Sequence, residues 1–194
     1  MNVRPDIVFE DADLLVVAKP SGVYVHPSPG HETGTLAMAL VAHCPGMAGV
    51  GSASRPGVVH RLDAETSGVM AFAKTPRAYS ALRRLFEEHS RVQKTYLAIV
   101  HGSFAARTGT IDAPIGRKPW DAKRMAVDGA DAKRAVTHWT SLAKRNGRSL
   151  VEFRIETGRT HQIRVHAAHA GCPIAGDALY GDSLRDARCR PRPS

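Results

Sequence analysis

The sequence predicts a mixed α+β domain: a mainly antiparallel sheet with flanking helices. Three observations predict it. Apolar runs of strand length follow one another across turn signals in hairpin order, and three helical stretches lie scattered among them. Neither an internal repeat nor a regular alternation of strand and helix is visible. With 43% hydrophobic residues in 194, the chain can bury a core of single-domain size.

The elements follow in order. Ile7–Phe9 and Leu14–Ala18 are short apolar runs separated by an acidic turn and closed by Pro20-Ser21-Gly22, which reads as strand, turn, strand. "GTLAMALVAHC" suits a short buried helix, and "PGMAGVGSASRPG" after it has the glycine, serine and proline content of a loop. Thr75-Pro76 supplies an N-cap followed by proline at the first helical position. Ala78, Leu82, Leu85 and Phe86 then share one helical face, with Arg83 and Arg84 off it. "RVQKTYLAIVHG" alternates as a strand, with Tyr96, Ala98 and Val100 on one side. "KRAVTHWTSLAKR" and "RSLVEFRIETG" form a hairpin about Asn146-Gly147, the second arm turning Val151, Phe153 and Ile155 to the core. Thr160 is expected to cap a helix from His161 to about Ala170, ended by Gly171 and Pro173. On that helix Ile163, Ala167 and Ala170 point one way, with Arg164 beside them.

Charge narrows the class of partner. The net charge is +9, yet residues 1–50 hold two basic and five acidic side chains, so the remainder carries +12. Such a field favours a polyanion, because Lys and Arg on phosphates release condensed counterions. Residues 117–145 concentrate eight Lys/Arg against three aspartates; with Trp120 and Trp139 among them, base stacking joins charge as a means of contact. No run approaches the roughly 18–20 apolar residues that span a bilayer, and the N-terminus lacks the apolar centre of a signal peptide. The expectation is a cytoplasmic protein that does not engage membranes. Cys44, Cys172 and Cys189 show no CxxC spacing, so neither a zinc knuckle nor a disulfide framework is expected.

The chemistry-bearing stretch is "GVVHRLDAETSGVM". An aspartate in such a turn commonly just accepts hydrogen bonds from the amides that follow it. A second segment, "ETGRTHQIRVHAAHAG", alters that reading: Arg164 beside an apolar helix stripe needs a carboxylate, and Asp63 is a candidate. So paired, Asp63 would stay ionised in a low-dielectric site, usable as nucleophile or base.

Four segments, "KPSGVYVHP", "RPGVVHRLDAETSGVMAFAKT", "KTYLAIVHG" and "GRTHQIRVHAAHAGCPIAGDALYG", resemble in order the signature segments of the RluA-like family of RNA pseudouridine synthases. The resemblance runs from about Ile7 to Asp182. It implies the catalytic-domain fold of that family over residues 1–182, with 183–194 a short basic tail. It also implies isomerisation of a uridine in structured ribosomal or transfer RNA without cofactor; a monomer with no metal site is expected. By resemblance Asp63 is the catalytic aspartate, Tyr96 stacks on the uracil and assists removal of the C5 proton, and Arg164 pairs with the aspartate. Arg61 is expected to fill the space left by the extruded base, and Thr66, Arg159 and His161 to contact RNA. Leu62, Thr66, Ser67 and Gly68 shape the catalytic loop, and Lys19 and Pro20 support the site from below. An S4-type domain before the catalytic domain is not expected, and the family's next strand region after "GDALYG" is expected to be missing.

Three rival readings are distinguishable. One is a noncatalytic RNA-binding remnant of the same family. Another is a hydrolase with Asp63 and Glu65 on one strand face, about 6.5–7 Å apart. The third is a metal site from His161, His166 and His169, whose spacings of five and three do not match a helical ligand pair.

Overall fold

The computed structural model describes residues 3–88, 91–121 and 123–187. The chain divides into two compact units, Met1–Val92 and Gln93–Ser194, a division the one-domain sequence expectation did not draw.

The first unit opens with β1 (Asp6–Glu10) and β2 (Leu14–Lys19), joined by a turn in which the Asp11 carboxylate accepts the amides of Asp13 and Leu14, each at 2.8 Å. After α1 (Leu36–His43) comes a segment expected to be an irregular loop. It is instead a 3₁₀ turn over Pro45–Gly49 followed by a minimal hairpin of β3 (Gly51–Ser52) and β4 (Arg55–Pro56). The fully buried Met47 anchors that turn, which composition alone could not show. Then follow β5 (Gly68–Ala73) and α2 (Pro76–Glu87). The sheet order is β1-β2-β5, all antiparallel, with Leu15 opposite Phe72 and Val17 opposite Met70; all four side chains are fully buried. Gly57 reaches this sheet because its φ is +68° and a Cβ there would lie 2.5 Å from the Ala73 carbonyl oxygen. The predicted cap of α2 is present: the Thr75 hydroxyl accepts the Ala78 amide at 3.2 Å.

The second unit contains β6 (Lys94–His101), β7 (Thr108–Asp112), β8 (Ile115–Arg117), β9 (Met125–Val127), β10 (Ala130–Lys133), β11 (Val136–Arg145) and β12 (Arg148–Ile155). Its helices are α3 (Gln162–His169) and α4 (Ser183–Ala187). A four-stranded antiparallel sheet has the order β6-β12-β11-β7, and a three-stranded one the order β10-β8-β9. Asn146 and Gly147 take φ values of +50° and +69°, the type I′ geometry their sequence predicts. Val100, Val151, Phe153 and Ala167 form the core, with Tyr96 packed against it.

Two helix expectations are corrected. Thr160 does not cap α3; the N-cap is His161, in the left-handed region at φ +56°, with no side-chain cap. The turn is organised instead by Gln162, whose side-chain oxygen accepts the Thr157 hydroxyl at 2.8 Å and the Arg159 amide at 3.0 Å. Ala170 is exposed rather than in the stripe, and the buried residues of α3 are Gln162, Val165, His166 and Ala167. The helix ends as predicted at Gly171, in a Schellman motif: Gly171 N–H donates to Ala168 and Cys172 N–H to Ala167. The start of the expected tail is α4, held through Asp186, which accepts from Gly176 N at 2.9 Å and pairs with His101 at 2.7 Å. Cys189 lies outside the described residues.

Candidate active site

Asp63 sits in a turn, not on a strand, so the Asp63 and Glu65 carboxylates are not placed as strand neighbours. The Thr66 amide donates to the Asp63 carbonyl at 3.1 Å, and β5 begins immediately after, at Gly68. Three hydrogen bonds from residues 19–22 hold the turn from beneath. Ala64 O accepts the Gly22 amide at 2.9 Å and Lys19 Nζ at 2.8 Å, and Glu65 O accepts the Ser21 hydroxyl at 2.8 Å. Leu62 is buried beside Asp63, which is half-buried, while Arg61 is exposed. His60, just before, accepts the Ala71 amide at Nε2 and stacks on Phe86 with ring centroids 4.2 Å apart.

Lys19, named by the resemblance as a support from below, is a member of this group, and what the sequence did not show is its depth. It is 1% exposed, and its ammonium donates to three carbonyls, those of Pro20, Val23 and Ala64, each at 2.8 Å. Burial pushes its pKa below the usual lysine value, while the Glu65 and Asp63 carboxylates pull the other way. A lysine at the end of an apolar strand carries no sequence sign of such depth.

In the second unit Tyr96 is half-buried on the core side of β6, directly across from Phe153 on β12. Arg164, on α3, makes a two-pronged ion pair with Asp177: Nε to Oδ2 at 2.7 Å and a terminal nitrogen to Oδ1 at 2.8 Å. Burial raises the Asp177 pKa, but the Arg164 guanidinium and the amides of Leu179 and Tyr180 outweigh it and hold the carboxyl below its ordinary range. The need for a carboxylate near Arg164 was legible; Asp177 as one within its own unit was not. The Arg164 guanidinium also lies over the Tyr180 ring at 5.1 Å. The Tyr180 hydroxyl joins His161 Nδ1 at 2.8 Å and accepts the Met125 amide at 2.7 Å. Arg159 is exposed and donates to the Arg134 carbonyl at 3.0 Å, while Thr66 and His161 are partly exposed.

The histidine trio does not form a metal site. His166 is fully buried and bonded to Thr137 Oγ1 and the Ala113 carbonyl, and no metal-binding group of His, Cys, Asp or Glu occurs among the described residues. The two tryptophans differ: Trp139 is partly buried against the core and stacks on Phe104 at 4.7 Å, while Trp120 is fully exposed. Among the described residues no helix is long and apolar enough to cross a membrane.

The family model described as RNA pseudouridylate synthase matches residues 13–169. A Synechocystis protein named as an RNA pseudouridine synthase is 45% identical over 181 residues, covering 92% of this chain and 55% of its own. The ribosomal large subunit pseudouridine synthase D of Zymomonas mobilis is 46% identical, covering 95% and 58%. The chain thus spans little more than half the length of these relatives. Among solved structures, human RNA pseudouridylate synthase domain containing 1 superposes with a TM-score of 0.77 at 31% identity, covering 95% of this chain and 73% of that one.

Proposed function

Because the chain belongs to the RNA pseudouridylate synthase family, we propose that it isomerises a uridine of structured RNA to pseudouridine, acting as a cytoplasmic monomer without a cofactor. Relatives named for the ribosomal large subunit favour ribosomal over transfer RNA as the substrate. The reaction breaks the bond from C1′ to N1, turns the uracil and joins C1′ to C5; the C5 proton is lost and N1 ends protonated. Asp63 acts on the sugar, as nucleophile at C1′ or as base for a sugar proton. Carboxylate attack at an anomeric carbon has a physical parallel in retaining glycosidases. Tyr96 stacks on the uracil and assists loss of the C5 proton, and Arg164 is the arginine that partners the catalytic aspartate. Arg61 fills the space of the extruded base, offsetting part of a few kcal/mol of unstacking. Thr66, Arg159 and His161 contact the RNA.

The observation that carries this reading is the Asp63 turn itself, partly buried and tied at Ala64 and Glu65 to residues 19–22. A base or nucleophile needs such restraint, whereas a solvated turn aspartate does not. The test is tritium release from RNA labelled at uridine C5. The native chain should release tritium and form pseudouridine, and Asp63→Ala should lose turnover by about three orders of magnitude or more while still binding RNA. Binding at stoichiometric protein with no release would identify a noncatalytic remnant instead, and free uracil would identify a hydrolase.

A further inference from the structure

We infer that Trp120 is a stacking platform for an unpaired base of the bound RNA, an inference that rests on RNA being the substrate. Trp120 lies at the tip of the hairpin between β8 and β9. That tip is closed by backbone hydrogen bonds from Lys118 N to Arg124 O at 3.0 Å, from Asp121 N to Lys118 O and from Arg124 N to Asp121 O, both at 3.2 Å. Within this braced turn Trp120 takes φ +65° and is completely exposed. Neither feature serves folding: non-glycine residues seldom adopt that backbone, and a large aromatic left in water forgoes its burial energy. What the arrangement provides is a flat π surface held clear of the protein.

Its surroundings select the occupant. Arg117, Lys118 and Lys123 are exposed on the same hairpin, and the Asp121 carboxylate is paired with Arg124 at 3.5 Å. Cations beside an exposed ring suit a strand whose phosphates they neutralise while a base lies on the ring. An unpaired base is required, because a base paired inside a duplex keeps both faces stacked. The base of the hairpin is tied to the Arg164 region: Met125 N donates to the Tyr180 hydroxyl, and the Tyr180 ring lies beneath the Arg164 guanidinium. A nucleotide gripped at the tip is therefore held by the same framework that sets Arg164.

The test uses the full chain with a uridine-rich hairpin RNA and, separately, the blunt duplex of its stem. Trp120→Ala should weaken binding of the hairpin RNA about tenfold, and Trp120→Phe, which keeps an aromatic face, by about twofold or less. The hairpin RNA, and not the duplex, should quench the native fluorescence, and in Trp120→Phe most of that quenching should be lost because Trp139 is partly buried and stacked on Phe104. Native affinity in Trp120→Ala, as a protein-docking role would give, overturns the inference. So does quenching that persists in Trp120→Phe. If the native chain releases tritium while Trp120→Ala binds as tightly, this inference alone falls. If binding depends on Trp120 but no tritium is released, stacking stands and the catalytic reading falls.

Discussion

At the scale of single residues, Lys19 shows how a buried charge can hold the turn that carries Asp63. Its ammonium satisfies three carbonyls, one of them on the residue next to Asp63. Lys19→Met keeps the apolar stem but strips all three donors. Hydrogen bonds to a charged donor are each worth about 1.5–3 kcal/mol, less the lysine desolvation that the change relieves. The expected loss is about 2–4 kcal/mol in urea unfolding. Turnover should fall further than RNA affinity, because the Asp63 turn loosens while the cations that meet phosphate remain; equal losses in both would show a merely structural lysine. Asp177 teaches the complementary lesson about legibility. The chemistry of Arg164 demanded a carboxylate, and that demand was readable from the apolar helix around it. The partner within its unit comes thirteen residues later, beyond the Gly171 helix end, where no periodicity points to it.

At the scale of elements, α3 is docked by a buried polar network as well as by its apolar Val165 and Ala167. His166 Nε2 faces the Ala113 carbonyl at 2.9 Å, which assigns its proton, so Nδ1 accepts the Thr137 hydroxyl at 2.8 Å. That hydroxyl in turn accepts from Gln162 Nε2 at 3.0 Å. The neutral ring is fully satisfied, and a second ring proton would confront the hydroxyl donor. Burial accordingly pushes the His166 pKa below the ordinary 6.5, and His26 shifts in the same direction for the same reason. With folded values depressed, the unfolded chain binds more protons as pH falls through 6.5, so stability drops across that window and levels off below the folded value. The carboxyls of Glu10, Asp13 and Asp177 are held below their ordinary values, so their contributions persist until still lower pH. Urea unfolding at pH of about 7.5 and 5.5 should therefore show a loss that shrinks in His166→Gln; an equal loss in both proteins would refute the assignment. This network also explains which elements were readable. The Asn146-Gly147 hairpin and the Thr75 cap are set by neighbours within four residues. The α3 N-terminus is set by Gln162 reaching Val136 and Thr137 on another strand, so Thr160, a sound cap by local rules, loses the role.

At the scale of the whole molecule, the charge imbalance is legible in the sequence, and the structure separates exposed cations from cations paired with carboxylates. Residues 1–50 are net acidic while the remainder holds +12, and that asymmetry needed no structure to see. Which cations are available did need it. Arg77 is paired with Asp13 at 2.6 Å, and Arg83 with Glu87 at 2.6 Å, whereas Lys118 and Lys123 stand exposed on the Trp120 hairpin. Each lysine that contacts a phosphate releases condensed counterion, so the logarithm of affinity should fall linearly with the logarithm of salt. Lys118→Ala and Lys123→Ala should each flatten that slope by about one and weaken binding at low salt. Arg77→Ala, which removes a cation already committed to Asp13, should leave the slope unchanged. Titrating the uridine-rich hairpin RNA at several salt concentrations measures all three. A salt-independent affinity would contradict the electrostatic account, and equal flattening by Arg77→Ala would show that net charge, rather than the hairpin's placement of it, governs binding.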